Sequence, residues 1–152
     1  MNKKFLLPLL ALISVAIFFA ACQPDDPDNG NDKTPKNVKT FSGTTDQNEN
    51  VKFRTGEISN ELWLLEYQLT VIFVDSSGGS YEEQDYSYSE SESDGIKKMT
   101  NNSFNISLGT NDFINGTVNS GQTEISGTYS YEFITTEGDT VVTGNFSATA
   151  SK

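Results

Sequence analysis

An alternation of apolar and polar side chains between residues 63 and 73 constrains the fold of this chain more than any other feature. The odd positions are all apolar or aromatic: Trp63, Leu65, Tyr67, Leu69, Val71 and Phe73. The even positions include Glu66, Gln68 and Thr70. Successive side chains of a β-strand point to opposite faces of the sheet, so this period of two predicts a long strand with one buried face and one wetter face.

The same period recurs along the chain after residue 37, and no segment there has the spacing of an amphipathic helix. Turn residues separate the segments, which predicts strands at residues 38–44, 51–57, 63–73, 79–92, 103–108, 112–118, 124–134 and 140–150. Strands of this number and spacing are typical of an all-β fold. We expect an antiparallel up-and-down meander that forms a small barrel of about eight strands, with a β-sandwich as the alternative.

A repeated glycine pattern favours the barrel over the sandwich. Residues 41–44, 114–117, 125–128 and 142–145 each consist of an apolar residue, a polar residue, Gly, and then Thr or Asn. A glycine inside a strand weakens it unless the backbone bends sharply there or an aromatic ring from a neighbouring strand covers it, as at the corners of small barrels. The last three copies form a meander that resembles the closing strands of small lipocalin-like and avidin-like barrels.

The N-terminal segment resembles the signal of a bacterial lipoprotein. Lys3 and Lys4 precede an almost wholly apolar run at residues 5–19, and two alanines then precede Cys22, the one cysteine of the chain. In that family the signal is removed before the cysteine, which is then acylated. The resemblance implies a signal peptide at residues 1–21 and acyl chains, palmitate among them, on Cys22. An uncleaved transmembrane anchor is the alternative.

Acidic residues follow the cysteine directly. Asp25 and Asp26 resemble the export signal of Bacteroidota-type surface lipoproteins, which implies an outer-membrane protein that faces the cell exterior. The alternative is an ordinary acidic linker on a protein that faces the periplasm. Residues 23–36 contain no hydrophobic side chain that burial could stabilise, so we expect a disordered tether at residues 22–37 and a single β domain at residues 38–152.

The charge and the missing residue types exclude several functions. The chain has 21 acidic and 10 basic side chains, so we expect no nucleic acid partner and a membrane link only through the acyl chains on Cys22. Without histidine, it cannot form a Ser-His-Asp or Cys-His nucleophile, and it lacks the usual ligands of zinc and copper. We therefore expect no catalysis, no metal and no cofactor. Carboxylate chemistry leaves a glycosidase and a calcium site as alternatives.

An alternating acidic segment begins within the fourth predicted strand, at residues 86–94. If it is a strand, five side chains share one face: Tyr86, Tyr88, Glu90, Glu92 and Asp94. Tyrosines beside carboxylates suit a sugar or a basic partner, which makes this a candidate recognition face. The alternative is that like charges on an exposed edge strand prevent it from pairing with other chains.

Short glycosylation motifs add one candidate. Thr140 lies in Asp139-Thr140-Val141, which resembles the acceptor of O-linked glycans on exported proteins of the same bacterial group. We interpret the asparagines of the Asn-X-Ser/Thr motifs as turn and strand-end residues: Asn101, Asn105, Asn115 and Asn145.

Three functions remain compatible with the sequence. The first is a surface binding domain that holds a small apolar or glycan ligand, with Trp63, Tyr67, Tyr129 and Tyr131 as candidate lining residues or plain core. The second is an interaction lipoprotein, or an inhibitor-like domain, that contacts a protein partner. The third is the carboxylate glycosidase. An internal cavity favours the first, a filled core the second, and paired buried acids the third.

The lipoprotein resemblance predicts that Cys22→Ala abolishes acylation, because the thiol is the proposed acyl acceptor. We expect the variant to incorporate no labelled fatty acid and to differ from wild type in processing and membrane association, which labelling and fractionation of the host cells would measure. A variant that is processed and membrane-bound like wild type would contradict the assignment.

Overall fold

The computed structural model describes residues 34–88, 95–135 and 137–151. The predictions for the signal peptide, for Cys22, Asp25 and Asp26, and for three acidic residues, Glu90, Glu92 and Asp94, lie outside the described residues. Within the described ranges, no helix is long and apolar enough to cross a membrane.

The described residues form nine β-strands: β1 (Lys36–Thr45), β2 (Asn50–Ile58), β3 (Glu61–Val74), β4 (Ser80–Tyr88), β5 (Lys97–Lys98), β6 (Ser103–Ser107), β7 (Phe113–Val118), β8 (Glu124–Thr135) and β9 (Gly138–Ala150). Eight of them form one antiparallel sheet in the order β4-β3-β2-β1-β9-β8-β7-β6, and the short β5 pairs with β3. The sheet curls strongly into a half-barrel. The predicted all-β meander is thus confirmed, and each predicted strand corresponds to one of the eight.

The first and last strands of the meander pair with each other, and the concave face of the curled sheet holds the core. Phe53 of β2 lies 4.9 Å from Phe146 of β9 and 5.8 Å from Phe104 of β6, measured between ring centroids. Phe73 and Phe133 meet at 5.8 Å near the other end. These contacts join strands far apart in the sheet, so the burial of the rings favours the curled form over a flat sheet.

Three of the four glycines of the repeated pattern lie on this concave face beneath aromatic rings. Phe104 covers Gly116 and Phe146 covers Gly127, while the ring of Tyr129 packs on Gly144. A Cβ atom at any of these three positions would overlap the ring above it. The glycines therefore leave room for rings that a side chain would displace, as the repeated pattern predicted.

A β-bulge in β3 changes the predicted alternation. Arg54 of β2 pairs with Glu66 but Thr55 pairs with Leu64, which leaves Leu65 as an extra residue. As a result Leu64 is fully buried in the core cluster, which includes neither Trp63 nor Leu65. The predicted alternation is correct from Tyr67 onward. The prediction that Trp63 and Leu65 share that face is wrong, because the extra residue reverses the direction of the side chains before it.

The packing of rings on glycines predicts that Gly127→Ala destabilises the protein. The new Cβ would lie 2.5 Å from Phe146 Cζ and would overlap the carbonyl oxygen of Asn115. We expect the free energy of unfolding, measured by urea denaturation, to fall by about 1–3 kcal/mol.

Gly121→Ala is the matched control, since its new Cβ would have no neighbour closer than 3.7 Å. If the free energy of unfolding fell equally in the two variants, the close approach of the Phe146 ring to Gly127 would not be what stabilises the curled sheet.

Candidate functional site

Three of the four predicted ligand-lining residues belong to the core. Tyr67, Tyr129 and Tyr131 are buried, with at most 5% of each side chain exposed. Trp63 lies on the opposite face of the sheet, where its ring packs against Gly95. The structure therefore does not bring the four together, and apolar and aromatic side chains occupy the space around the three tyrosines.

The hydroxyl groups of two of these tyrosines meet one carboxylate. Tyr131 donates a hydrogen bond of 2.9 Å to Asp85 Oδ2, and the Tyr67 hydroxyl lies 3.4 Å from both Asp85 oxygens. Burial, together with the charge of Asp85, raises the pKa of Tyr67 to about 12 and also raises the pKa of Tyr131. Both hydroxyls therefore stay protonated at neutral pH and act as hydrogen-bond donors.

The third tyrosine binds a different carboxylate. Tyr129 donates a 2.9 Å hydrogen bond to Asp46 Oδ1, in the turn after β1, and Asp46 Oδ2 accepts one from the backbone N–H of Asn145. This carboxylate thus connects the β1–β2 turn to β8 and β9. The contacts give all three phenol groups a structural role.

An acidic cleft lies between β4 and the ends of β6, β7 and β8. Its volume is about 290 Å³, and it is lined by Glu83, Asp85, Leu108, Asp112, Tyr131, Glu132 and Phe133. No lysine or arginine is among these residues. Within the described ranges, no three acidic side chains are placed so that they could hold a metal ion.

The candidate recognition face is described only in part. Tyr86 and Tyr88 both lie on β4 and are 66% and 56% exposed. In the described residues β4 pairs with β3 alone, so the segment is an edge strand, as one of the two interpretations of the sequence required.

The largest cavity that we describe is a polar groove of about 530 Å³ on the outer face of β6, β7 and β8. Strand register arranges its side chains in two rows. One row consists of Asn105, Asn115 and Thr128, and the other of Ser103, Thr117 and Ser126. Neighbours are about 4.8 Å apart across strands and about 6.8 Å apart along a strand. Lys97, Lys98 and Thr100 form one side of the groove.

Much of the hydrogen-bonding capacity of the groove is unused. The amide of Asn105 donates to the amide oxygen of Asn115, and the hydroxyls of Ser103 and Thr117 lie 3.0 Å apart. The Asn115 amide nitrogen keeps both of its N–H groups, and Asn105 keeps its oxygen. The hydroxyls of Ser126 and Thr128 have no partner within the described part of the chain. The groove therefore presents both donors and acceptors to a ligand.

The sequence interpretation missed this groove. It assigned four asparagines to turns and strand ends, which is correct for Asn101, a turn residue with a φ of 52°. It is wrong for Asn105, Asn115 and Asn145, which lie inside β6, β7 and β9. Asparagine is unfavourable inside strands. Residues whose intrinsic propensity disagrees with their secondary structure are concentrated at functional sites, so asparagines within predicted strands were the signal that could have identified the groove.

No protein-family model, curated protein or solved structure matches this chain. The geometry of the groove and of the cleft is therefore the basis for assigning a function.

The acidic residues outside the cleft are mostly occupied by partners. Glu66 pairs with Lys52 at 2.6 Å and with Arg54 at 3.2 Å, and Glu61 pairs with Lys98 at 2.5 Å. Among the described residues the buried polar side chains are Thr45, Thr55 and Ser130, so no buried pair of acids supports a glycosidase there. Thr140, the candidate glycan acceptor, lies in β9 opposite Phe133 and is half-buried.

The raised pKa of Tyr67 predicts a loss of stability in alkali. In the unfolded chain a tyrosine ionises near pH 10, whereas in the folded protein Tyr67 ionises only near 12. The contribution of protonated Tyr67 to the free energy of unfolding is therefore complete below pH 10. It is lost as the pH rises towards 12, because the unfolded state then binds fewer protons than the folded state. Urea denaturation between pH 8 and 12 measures this loss.

Tyr67→Phe removes the ionising group, so the loss of stability over this pH range should be smaller in the variant than in wild type. Identical pH profiles for the two proteins would show that Tyr67 does not carry the effect.

Proposed function

We propose that the protein is a non-catalytic binding domain that holds an oligosaccharide in the polar groove and is anchored to the outer membrane, facing the cell exterior, through acyl chains on Cys22. The observation that carries this proposal is the pair of asparagines, Asn105 and Asn115, which lie side by side within two strands. One hydrogen bond joins their amide groups and leaves further donors and an acceptor unused. Asparagine has a low propensity for strands, whereas its amide group can both donate hydrogen bonds to hydroxyl groups and accept them.

The chemistry of the groove suits a sugar chain. Each sugar hydroxyl both donates and accepts hydrogen bonds, and amide and hydroxyl side chains can meet either need. Two parallel rows of such side chains offer contacts to several hydroxyl groups along an extended ligand. The alternative of an apolar ligand has less support, because buried side chains fill the concave face where such a ligand would lie. A filled core is also what the interaction lipoprotein requires, so the oligosaccharide proposal is supported by the outer groove alone.

From the side chains of the groove we expect a single protein molecule to bind an oligosaccharide weakly. The one aromatic residue that lines the groove, Phe104, offers no ring for a sugar to stack on, because only 5% of the residue is exposed. Hydrogen bonds to neutral groups each contribute about 0.5–1.5 kcal/mol net, so a few of them give affinities of about millimolar to high micromolar. Many anchored copies on one membrane would increase the avidity for a polymer.

The proposal predicts that Thr128→Val weakens oligosaccharide binding. Valine matches threonine in shape but has no hydroxyl, so each lost hydrogen bond should raise the dissociation constant about 2–10-fold. The measurement is NMR titration of the labelled protein with neutral hexasaccharides of glucose, xylose, mannose and galactose. Shifts should appear first at the amides of β6, β7 and β8.

Thr149→Val is the matched control, because Thr149 is exposed on β9 but does not line the groove. Equal weakening by both variants, or shifts confined to other strands, would contradict the groove as the site. If no sugar, neutral or acidic, binds at all, a protein partner at the edge of β4 becomes the better hypothesis.

A further inference from the structure

The charges around the polar groove differ from those of the rest of the protein. The chain has a formal net charge of −11, with 21 acidic side chains. None of the described residues that line the groove is acidic, and two of them, Lys97 and Lys98, are basic. The groove therefore offers a negatively charged ligand two cations and no acidic side chain among its described lining residues.

The two lysines differ in whether their ammonium groups are free to bind a ligand. Lys98 Nζ lies 2.5 Å from Glu61 Oε1, so its charge is largely compensated. Lys97 is exposed and has no partner within the described ranges. Most other described cations are engaged: Lys52 and Arg54 by Glu66, and Lys39 by the backbone carbonyl of Gln122. Lys97 is thus an unpaired cation among the residues that line the groove with the amides and hydroxyls.

We propose that the groove selects an anionic oligosaccharide, whose hydroxyls contact the rows of Asn105 and Asn115 and whose acidic group contacts Lys97. This inference rests on the proposed function and names the class of sugar. An ammonium group is a compact point charge without the flat fork of arginine, so it accepts a uronic acid carboxylate and a sulfate ester alike. The common requirement is a negative charge on the sugar.

The expected preference is modest because the contact is exposed to water. A single exposed pair of opposite charges changes a dissociation constant about 2–5-fold, and less at high salt. The negative charge of the whole protein opposes this attraction at long range. The effect of Lys97 should therefore be measured against a variant with the same total charge.

The experiment compares matched pairs of ligands on the intact protein. Hexamers of galacturonic acid and of mannuronic acid are titrated beside their neutral methyl esters, and a sulfated galactan hexamer beside its desulfated form. For at least one pair, the anionic member should bind wild type about 2–5-fold more tightly than the neutral member. The carboxylate and sulfate pairs show which acid the groove takes.

Variants of the protein then test whether Lys97 causes the preference for the anionic ligand. Lys97→Gln should remove the preference for the anionic member over its neutral partner, and Lys97→Arg should restore the preference. Glu61→Gln should increase the preference, because it releases Lys98 from its ion pair. Lys39→Gln, on β1, changes the total charge equally outside the groove and should leave the preference intact.

The outcomes separate the two proposals. Neutral members that bind as tightly as anionic members in all three pairs would overturn the selection of acidic sugars and leave the groove as a glycan site. A preference reduced equally by Lys97→Gln and Lys39→Gln would overturn the role of Lys97. If no member of any pair binds, both the inference and the proposed function are wrong.

Discussion

The contact of aromatic rings with strand glycines on the concave face is the interaction on which the rest of this structure depends. Phe146 packs on Gly127 and Phe104 on Gly116, and Phe53 contacts both rings. A larger side chain in place of either glycine would push the ring away from the sheet. With the rings in place, strands from opposite ends of one sheet share a core, so a single layer of strands can bury its apolar face by curling.

Three tyrosines complete this core. Each has its ring in the apolar interior and its hydroxyl near a carboxylate, which is Asp46 for Tyr129 and Asp85 for Tyr67 and Tyr131. Buried phenol groups need such partners, since an unsatisfied hydroxyl in an apolar core is destabilising. The aromatic residues thus contribute to stability, and the site that we propose for a ligand lies on the outer face of β6, β7 and β8.

That outer face is rigid because the core behind it is well packed. Asn105 and Asn115 alternate with inward-facing neighbours, among them Phe104 and Ile114, which hold β6 and β7 against the core. A site built on strands keeps its donors and acceptors at fixed spacing, so a ligand does not have to order them on binding. Weak individual contacts can then act together along an extended ligand.

The sequence by itself determined the strands and the meander, because the alternation of side chains and the turn residues are local properties of the chain. It also predicted that the strand glycines mark either a sharp bend or a covering ring, and rings cover three of them. Only the tertiary structure decided the register, which depends on contacts between distant segments. The extra residue at Leu65 turned Trp63 away from the core, strand pairing brought Asn105 beside Asn115, and the folded chain placed Lys97 in the lining of the same groove. The candidate site could not be predicted for the same physical reason: its residues are ordinary one by one, and only their pairing across strands gives them a common function.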